Sequence, residues 1–195
     1  MRSIRFVLLV TAAALAVLVL PRRAGADAVP LSTPTPRSGI IGIDAMTGTV
    51  FQQGQSSFSG LGVRLRVRHP ALVPNVEILP TFEYWQNTSH VDAFDIETKR
   101  RDATLSADMR WMFASRPWKP YLGAGFGLHF LANEVRAPSL GLPHGAEGIV
   151  KGGLQAMCGV EANPDARIGS FLELKFLDVT GFRQFKFNTG LAWNF

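Results

Sequence analysis

A chain of 195 residues with 47% apolar and 18% charged residues has the length of one domain and too much apolar content to stay disordered. Its formal charge of +5 is misleading. Of 20 basic residues, Arg2, Arg5, Arg22 and Arg23 lie before Asp27, whereas all 15 acidic residues lie at or beyond it. Without that segment 16 basic residues face 15 acidic ones, a net of +1, and no clustered basic footprint for nucleic acid remains. Cys158 is the only cysteine, which excludes a disulfide framework.

The amino-terminal segment reads as a secretory signal. Met1–Arg5 carries two arginines, Phe6–Leu20 is almost wholly apolar, and Ala24-Gly25-Ala26 fits a small-x-small cleavage site before Asp27. Phe6–Leu20 falls short of the roughly 20 residues a spanning helix needs. Arg22-Arg23 follows the apolar run, so it is no twin-arginine signal, and no cysteine near the site invites lipidation. The expected organisation is a cleaved signal over 1–26, a flexible proline-containing lead-in over 27–38, and one domain over 39–195. No second long apolar run follows residue 26. If the mature chain crosses a membrane, it must do so as a closed sheet.

Eight strand-like segments follow, each recognised by period-two alternation. The first is about Gly39–Met46. The second, Phe58–Arg68, sets Ser59, Leu61, Val63, Leu65 and Val67 against Gly60, Gly62, Arg64, Arg66 and Arg68. The third, fourth and fifth are predicted over Asn75–Gln86, Arg101–Phe113 and Pro120–Ala132. The sixth, seventh and eighth cover Glu147–Val160, Ile168–Asp178 and Phe182–Phe195. The eighth is the most telling: Phe185, Phe187, Thr189, Leu191, Trp193 and Phe195 share one face, and the chain ends on it. Such a strand suits a barrel whose last strand closes onto its first with one face in lipid. Connections alternate. Those at 69–74, 114–119 and 162–167 are short, and those at 47–57, 87–100 and 133–146 are longer and polar. The connection at 179–181 is short where a long one is due.

Alternation alone leaves two barrels open, since a soluble barrel would turn its apolar face inward around a ligand. Glycines mixed with long charged side chains on the polar face favour a crowded polar interior. Aromatic residues gather near the expected boundaries, with Trp111, Phe113, Trp193 and Phe195 at the short-turn end. Phe82, Tyr84, Phe130 and Phe176 lie at the loop end. The fold class expected is an all-β, eight-stranded, antiparallel, up-and-down transmembrane barrel.

With the polar parity inward, the lumen receives Asp44, Arg64, Arg66, Arg68, Glu77, Glu83, Asp108, Arg110, Lys151, Glu173, Lys175 and Lys186. These must pair, because an unpaired buried charge costs several kcal/mol. Centring the second turn on 69–74 and the next loop on 87–100 places Glu77 between Arg66 and Arg110. A structural plug is the expected role, ahead of a conducting path. His129 and Ser106 point inward, and Ser170 is assigned to the lipid face. No serine, histidine and acid set can be assembled from them. His90-Val-Asp92 with Asp95 and Glu97 lacks the spacing of a calcium loop. Gly123-x-Gly125-x-Gly127 lies in a strand with no helix after it, so it is no phosphate loop. Cys158 shares the outward parity. No cofactor, metal, nucleic acid or catalytic residue is expected.

The signal segment, the eight alternating strands, the glycine-rich Tyr121-Leu-Gly-Ala-Gly-Phe-Gly-Leu-His-Phe130 strand and the Phe195 terminus together resemble the small outer-membrane β-barrel proteins of Gram-negative bacteria. The likeness is to the OmpA-domain and OmpX-like group and covers the whole mature chain. It implies an outer-membrane address, contact with membrane lipid and lipopolysaccharide, and a monomer. It further implies long loops outside the cell, and Leu191, Trp193 and Phe195 within the signal read by the barrel-assembly machinery. Barrels of this kind include lipid A deacylases and palmitoyltransferases. The deacylase-like His-x-Ser-Asn stretch is absent here, where the chain reads Asp178-Val-Thr-Gly181. The resemblance therefore supplies no catalytic residue. A structural or surface-interaction protein is the expected function, with a narrow channel as the alternative and a lipid-modifying enzyme behind both. Because the chain stops at the last strand, no periplasmic domain is expected after the barrel.

Overall fold

A computed structural model describes residues 39–52, 57–69, 72–73, 75–91, 96–113, 118–136 and 145–195. The signal segment and lead-in lie outside the described residues, as do His90's neighbours Asp92 and Asp95. Eight strands follow one another: β1 (Gly39–Gln52), β2 (Phe58–Arg68), β3 (Val76–Val91), β4 (Ile96–Met112), β5 (Trp118–Arg136), β6 (Gly145–Ala162), β7 (Ile168–Val179) and β8 (Phe182–Asn194). Each pairs antiparallel with its neighbours, and β1 pairs with β8 from Gly42 opposite Asn194 to Gln52 opposite Gln184. The sheet is a closed barrel. The backbone N–H of Phe195 donates to the carbonyl of Ile41 at 3.0 Å, tying the last residue onto the first strand.

Several strands outrun the expectation. β1 continues to Gln52, β3 and β4 pair from Gln86 opposite Arg101 up to Val91 opposite Ile96, and β5 and β6 pair up to Val135 opposite Gly145. Of the stretches read as loops, residues 47–52, 87–91, 96–100, 133–136 and 145–146 are therefore strand. Polar sequences such as Gln86-Asn-Thr-Ser-His90 lose the apolar alternation, yet backbone pairing needs none of it. The barrel wall is consequently high along β3–β6. It is low at β7–β8, where Thr180 and Gly181 make a tight turn with Gly181 at φ 94°.

Burial is inverted relative to a water-soluble domain. Leu61, Val63, Leu105, Leu122, Phe126, Leu154, Leu174 and Phe187 point outward and are exposed, while Arg64, Arg110, Lys175 and Lys186 are among the largest fully buried side chains. Leaving so many large apolar groups in water forfeits roughly 1.5–3 kcal/mol each. The sum exceeds the roughly 5–15 kcal/mol that holds a typical domain together. Aromatic rings mark both ends of the apolar band. At the short-turn end Trp111 and Phe113 stack at 5.6 Å, and at the loop end the Phe51 and Phe185 rings lie 6.3 Å apart.

One place in the wall is imperfect. The β2–β3 register runs from Gly60 opposite Trp85 to Arg64 opposite Thr81 and resumes in the same frame at Val67 opposite Ile78. Leu65 and Arg66 have no paired partners across the seam, where Pro80 and Leu79 stand. Proline has no N–H to give a ladder. The Thr81 hydroxyl donates back to the Leu79 carbonyl at 3.0 Å.

Candidate functional site: the charged lumen

The inward faces of the eight strands bring charged residues from distant parts of the sequence into stacked layers. Nearest the short turns, Glu77 accepts from Arg110 Nη2 at 2.7 Å, from Arg68 Nη2 at 2.9 Å and from Arg66 Nε at 3.3 Å. Glu161 bridges the same two buried guanidiniums, at 3.0 Å from Arg66 and 3.1 Å from Arg110. The result is a closed ring of two arginines and two glutamates, with Arg68 joining at a rim where its side chain is 42% exposed. Asn194 accepts from Arg66 at 2.6 Å and donates to the carbonyls of Pro164 and Ala166. The ring is thereby tied to the β6–β7 turn.

The next layer centres on Arg64, which donates to Asp44 at 2.6 Å and to Glu173 at 2.7 Å and lies 4.3 Å from the Phe171 ring. Glu173 also accepts from the Tyr121 hydroxyl at 2.9 Å and from Asn188 at 3.2 Å. Above it, Lys175 donates to Glu83 at 2.8 Å and to Asp108 at 3.2 Å; Lys186 also pairs with Glu83, and Gln155 with Asp108. These contacts span the lumen: β2 to β6 and β7, β3 to β7 and β8, β4 to β6 and β7. Glycine makes the space. A Cβ on Gly159 would lie 2.5 Å from the Tyr121 ring, and one on Gly190 would lie 2.7 Å from the Phe171 ring. Glycine thus makes room for the rings of Tyr121 and Phe171 as well as for charged groups, Glu83 beside Gly62 and Asp108 beside Gly125. A cavity lined by Met46, Gly62, Glu83 and Lys186 has a volume of about 10 Å³, enough for about one water.

Every charged residue assigned inward from sequence except Lys151 enters these layers. Lys151 is half-buried at the low lip, where its ammonium lies 5.7 Å from the Phe182 ring and has no carboxylate partner among the described residues. Three participants were missed. Glu161 lies one residue beyond the expected end of β6, and extending the alternation by one position finds it. Asp102 shares the parity of Thr104 and is fully buried. Phe171 shares the parity of Glu173.

Near the loop end, Asp102 accepts at 2.8 Å from His129 Nδ1, and the Thr104 hydroxyl lies 3.0 Å from the same nitrogen. A relay needs the acid and the hydroxyl on opposite ring nitrogens. Here both meet Nδ1, and Nε2 is buried without a partner among the described residues. Ser106 contacts Asp108 instead, at 3.5 Å. Ser170, assigned to the lipid face, is fully buried with its hydroxyl unpartnered among the described residues. It sits on the outward parity beside Leu191 but is covered. Cys158 faces outward and is exposed, as are Leu191, Trp193 and Phe195.

No family model matches this chain, and no curated protein is similar to it in sequence. Solved structures are. Neisserial surface protein A aligns at 16% identity with a TM-score of 0.59, over 80% of this chain and 96% of its own. A major outer membrane protein from Thermus thermophilus aligns at 12% identity and 0.59, over 80% and 100%. Ail, the attachment invasion locus protein of Yersinia pestis, was solved with the heparin analogue sucrose octasulfate. It aligns at 12% identity and 0.55, over 80% and 97%. The chain has the fold of the small eight-stranded outer-membrane β-barrels.

Proposed function

We propose that this protein spans an outer membrane as a solid barrel and presents its loop-end strands to the cell exterior as a surface-interaction or structural element. The inverted burial carries this reading, because an exposed apolar band around a charged core suits lipid and no other surroundings. Fold neighbours that are outer-membrane and surface proteins support the address. Export by the 1–26 signal and recognition of Leu191, Trp193 and Phe195 by the assembly machinery belong to the same reading. Both suit a β8 whose outward face is aromatic to its end.

The lumen argues against conduction. Three centres, Glu161, Glu173 and Glu83, each hold two or more partners and reach across the bore, and Glu77 ties β3 to both of its neighbours. Moving one charge aside leaves its partner buried and unpaired, at a cost of several kcal/mol. His129 meets its acid and its hydroxyl on one nitrogen, which supports a non-catalytic role.

Gel mobility of unboiled and boiled protein from the outer-membrane fraction tests the address. A compact, fast species that slows on boiling is expected. A soluble periplasmic protein with no shift would overturn it. Planar-bilayer recording tests the plug, with no steady conductance steps expected.

A further inference from the structure

The seam at Pro80 coincides with a depression on the outer wall. Following the paired positions around, Leu65, Pro80 and Ala107 form one outward row, and Pro80 and Ala107 are short. Taller neighbours, Ile43, Val63, Phe82 and Leu105, enclose a groove of about 400 Å³ whose lining is almost wholly apolar. Arg64, Thr81 and Ser106, whose side chains belong to the lumen, also contribute to its lining.

From this geometry we infer that the groove is a binding site for one acyl chain of a membrane lipid. This inference rests on the membrane-spanning reading. Three observations single out this occupant. The groove lies within the apolar band, between the rings of Trp111 and Phe113 at the short-turn end and those of Phe51 and Phe185 at the loop end, where acyl chains are the available molecules. Its volume, at about 30 Å³ per water-sized group, holds roughly a dozen methylenes, which is one chain and not two. The polar residues of its lining are engaged on the lumen side, Arg64 with Asp44 and Glu173, Thr81 with the Leu79 carbonyl and Ser106 with Asp108. The ligand therefore needs no headgroup at that depth. A chain seated here also covers the unpaired position at Leu65 and Pro80, both of which line the groove.

The test is photolabelling in phosphatidylcholine vesicles that contain a trace of phospholipid with a diazirine at mid-chain, followed by peptide mapping. Leu154 and Leu174, outward and exposed on β6 and β7, serve as references. Adducts on Leu65, Phe82 and Leu105 are expected to exceed those on the references at least threefold. They are expected to fall to the reference level in Pro80→Trp. Since a tryptophan in the seam can impair folding, Ala107→Trp fills the same groove from the paired β4 side, and heat-modifiable mobility reports the fold of each variant. Equal labelling around the barrel, or enrichment that survives filling in a folded variant, overturns the acyl site alone. Labelling at no outward position overturns the membrane reading and the site with it.

Discussion

Glu77 holds three guanidiniums, and its worth is set by what its loss leaves behind. In Glu77→Gln, Arg66 and Arg110 keep Glu161 as their sole acid and carry an excess buried positive charge, so a loss of about 3–5 kcal/mol is expected in urea unfolding of the vesicle-inserted barrel. Arg68→Ala removes the half-exposed member and is expected to change stability by less than about 1 kcal/mol. Gly190→Ala pushes a methyl into the Phe171 ring under the Arg64 guanidinium, with an expected cost of about 1–3 kcal/mol. Much of this was legible from parity and turn positions. They name Arg66, Glu77 and Arg110 as neighbours and set Arg110 opposite Glu77 correctly. The expected β2–β3 register is two residues off, since Val67 faces Ile78 and Arg66 stands level with Leu79; its long side chain still reaches Glu77. Glu161 and the His129–Asp102 pair were less legible. The first sits beyond where apolar alternation fades, and the second depends on which ring nitrogen faces which strand.

Strands carry a different kind of information. Eight segments and their order are written in the alternation, since one face must meet an apolar medium and the other a packed interior. Their upper ends are not, because beyond Gln86 and Ala132 neither face is required to be apolar, and only backbone pairing continues. Hydrogen exchange should report the difference. The amides of β3 and β4 between Gln86 and Arg101 are expected to exchange faster than those between Ile78 and Met109. Within β2, Leu65 and Arg66 are expected to exchange faster than Leu61 and Val63, since their partners across the seam are missing. Equal protection along β2 would mean that the ladder closes in solution despite Pro80. At the low lip, Gly181→Val forces a branched side chain to φ 94°. It is expected to cost about 1–2 kcal/mol in the same unfolding assay.

At the scale of the whole molecule, charges are arranged so that no strand is self-sufficient. Arg66 waits for Glu161, Arg64 for Glu173, and Glu83 for Lys175 and Lys186, separations of 95, 109, 92 and 103 residues. A barrel lacking β7 and β8 would hold Arg64 and Glu83 with most of their partners missing. This has a consequence for the order of events during synthesis. An amino-terminal half threading into lipid ahead of the rest would expose a stripe of bare ions to hydrocarbon. On the membrane-spanning reading proposed above, the chain is therefore expected to stay outside the bilayer until its final two strands have arrived. Insertion is then a single late commitment, which a chain truncated before β7 is expected not to complete.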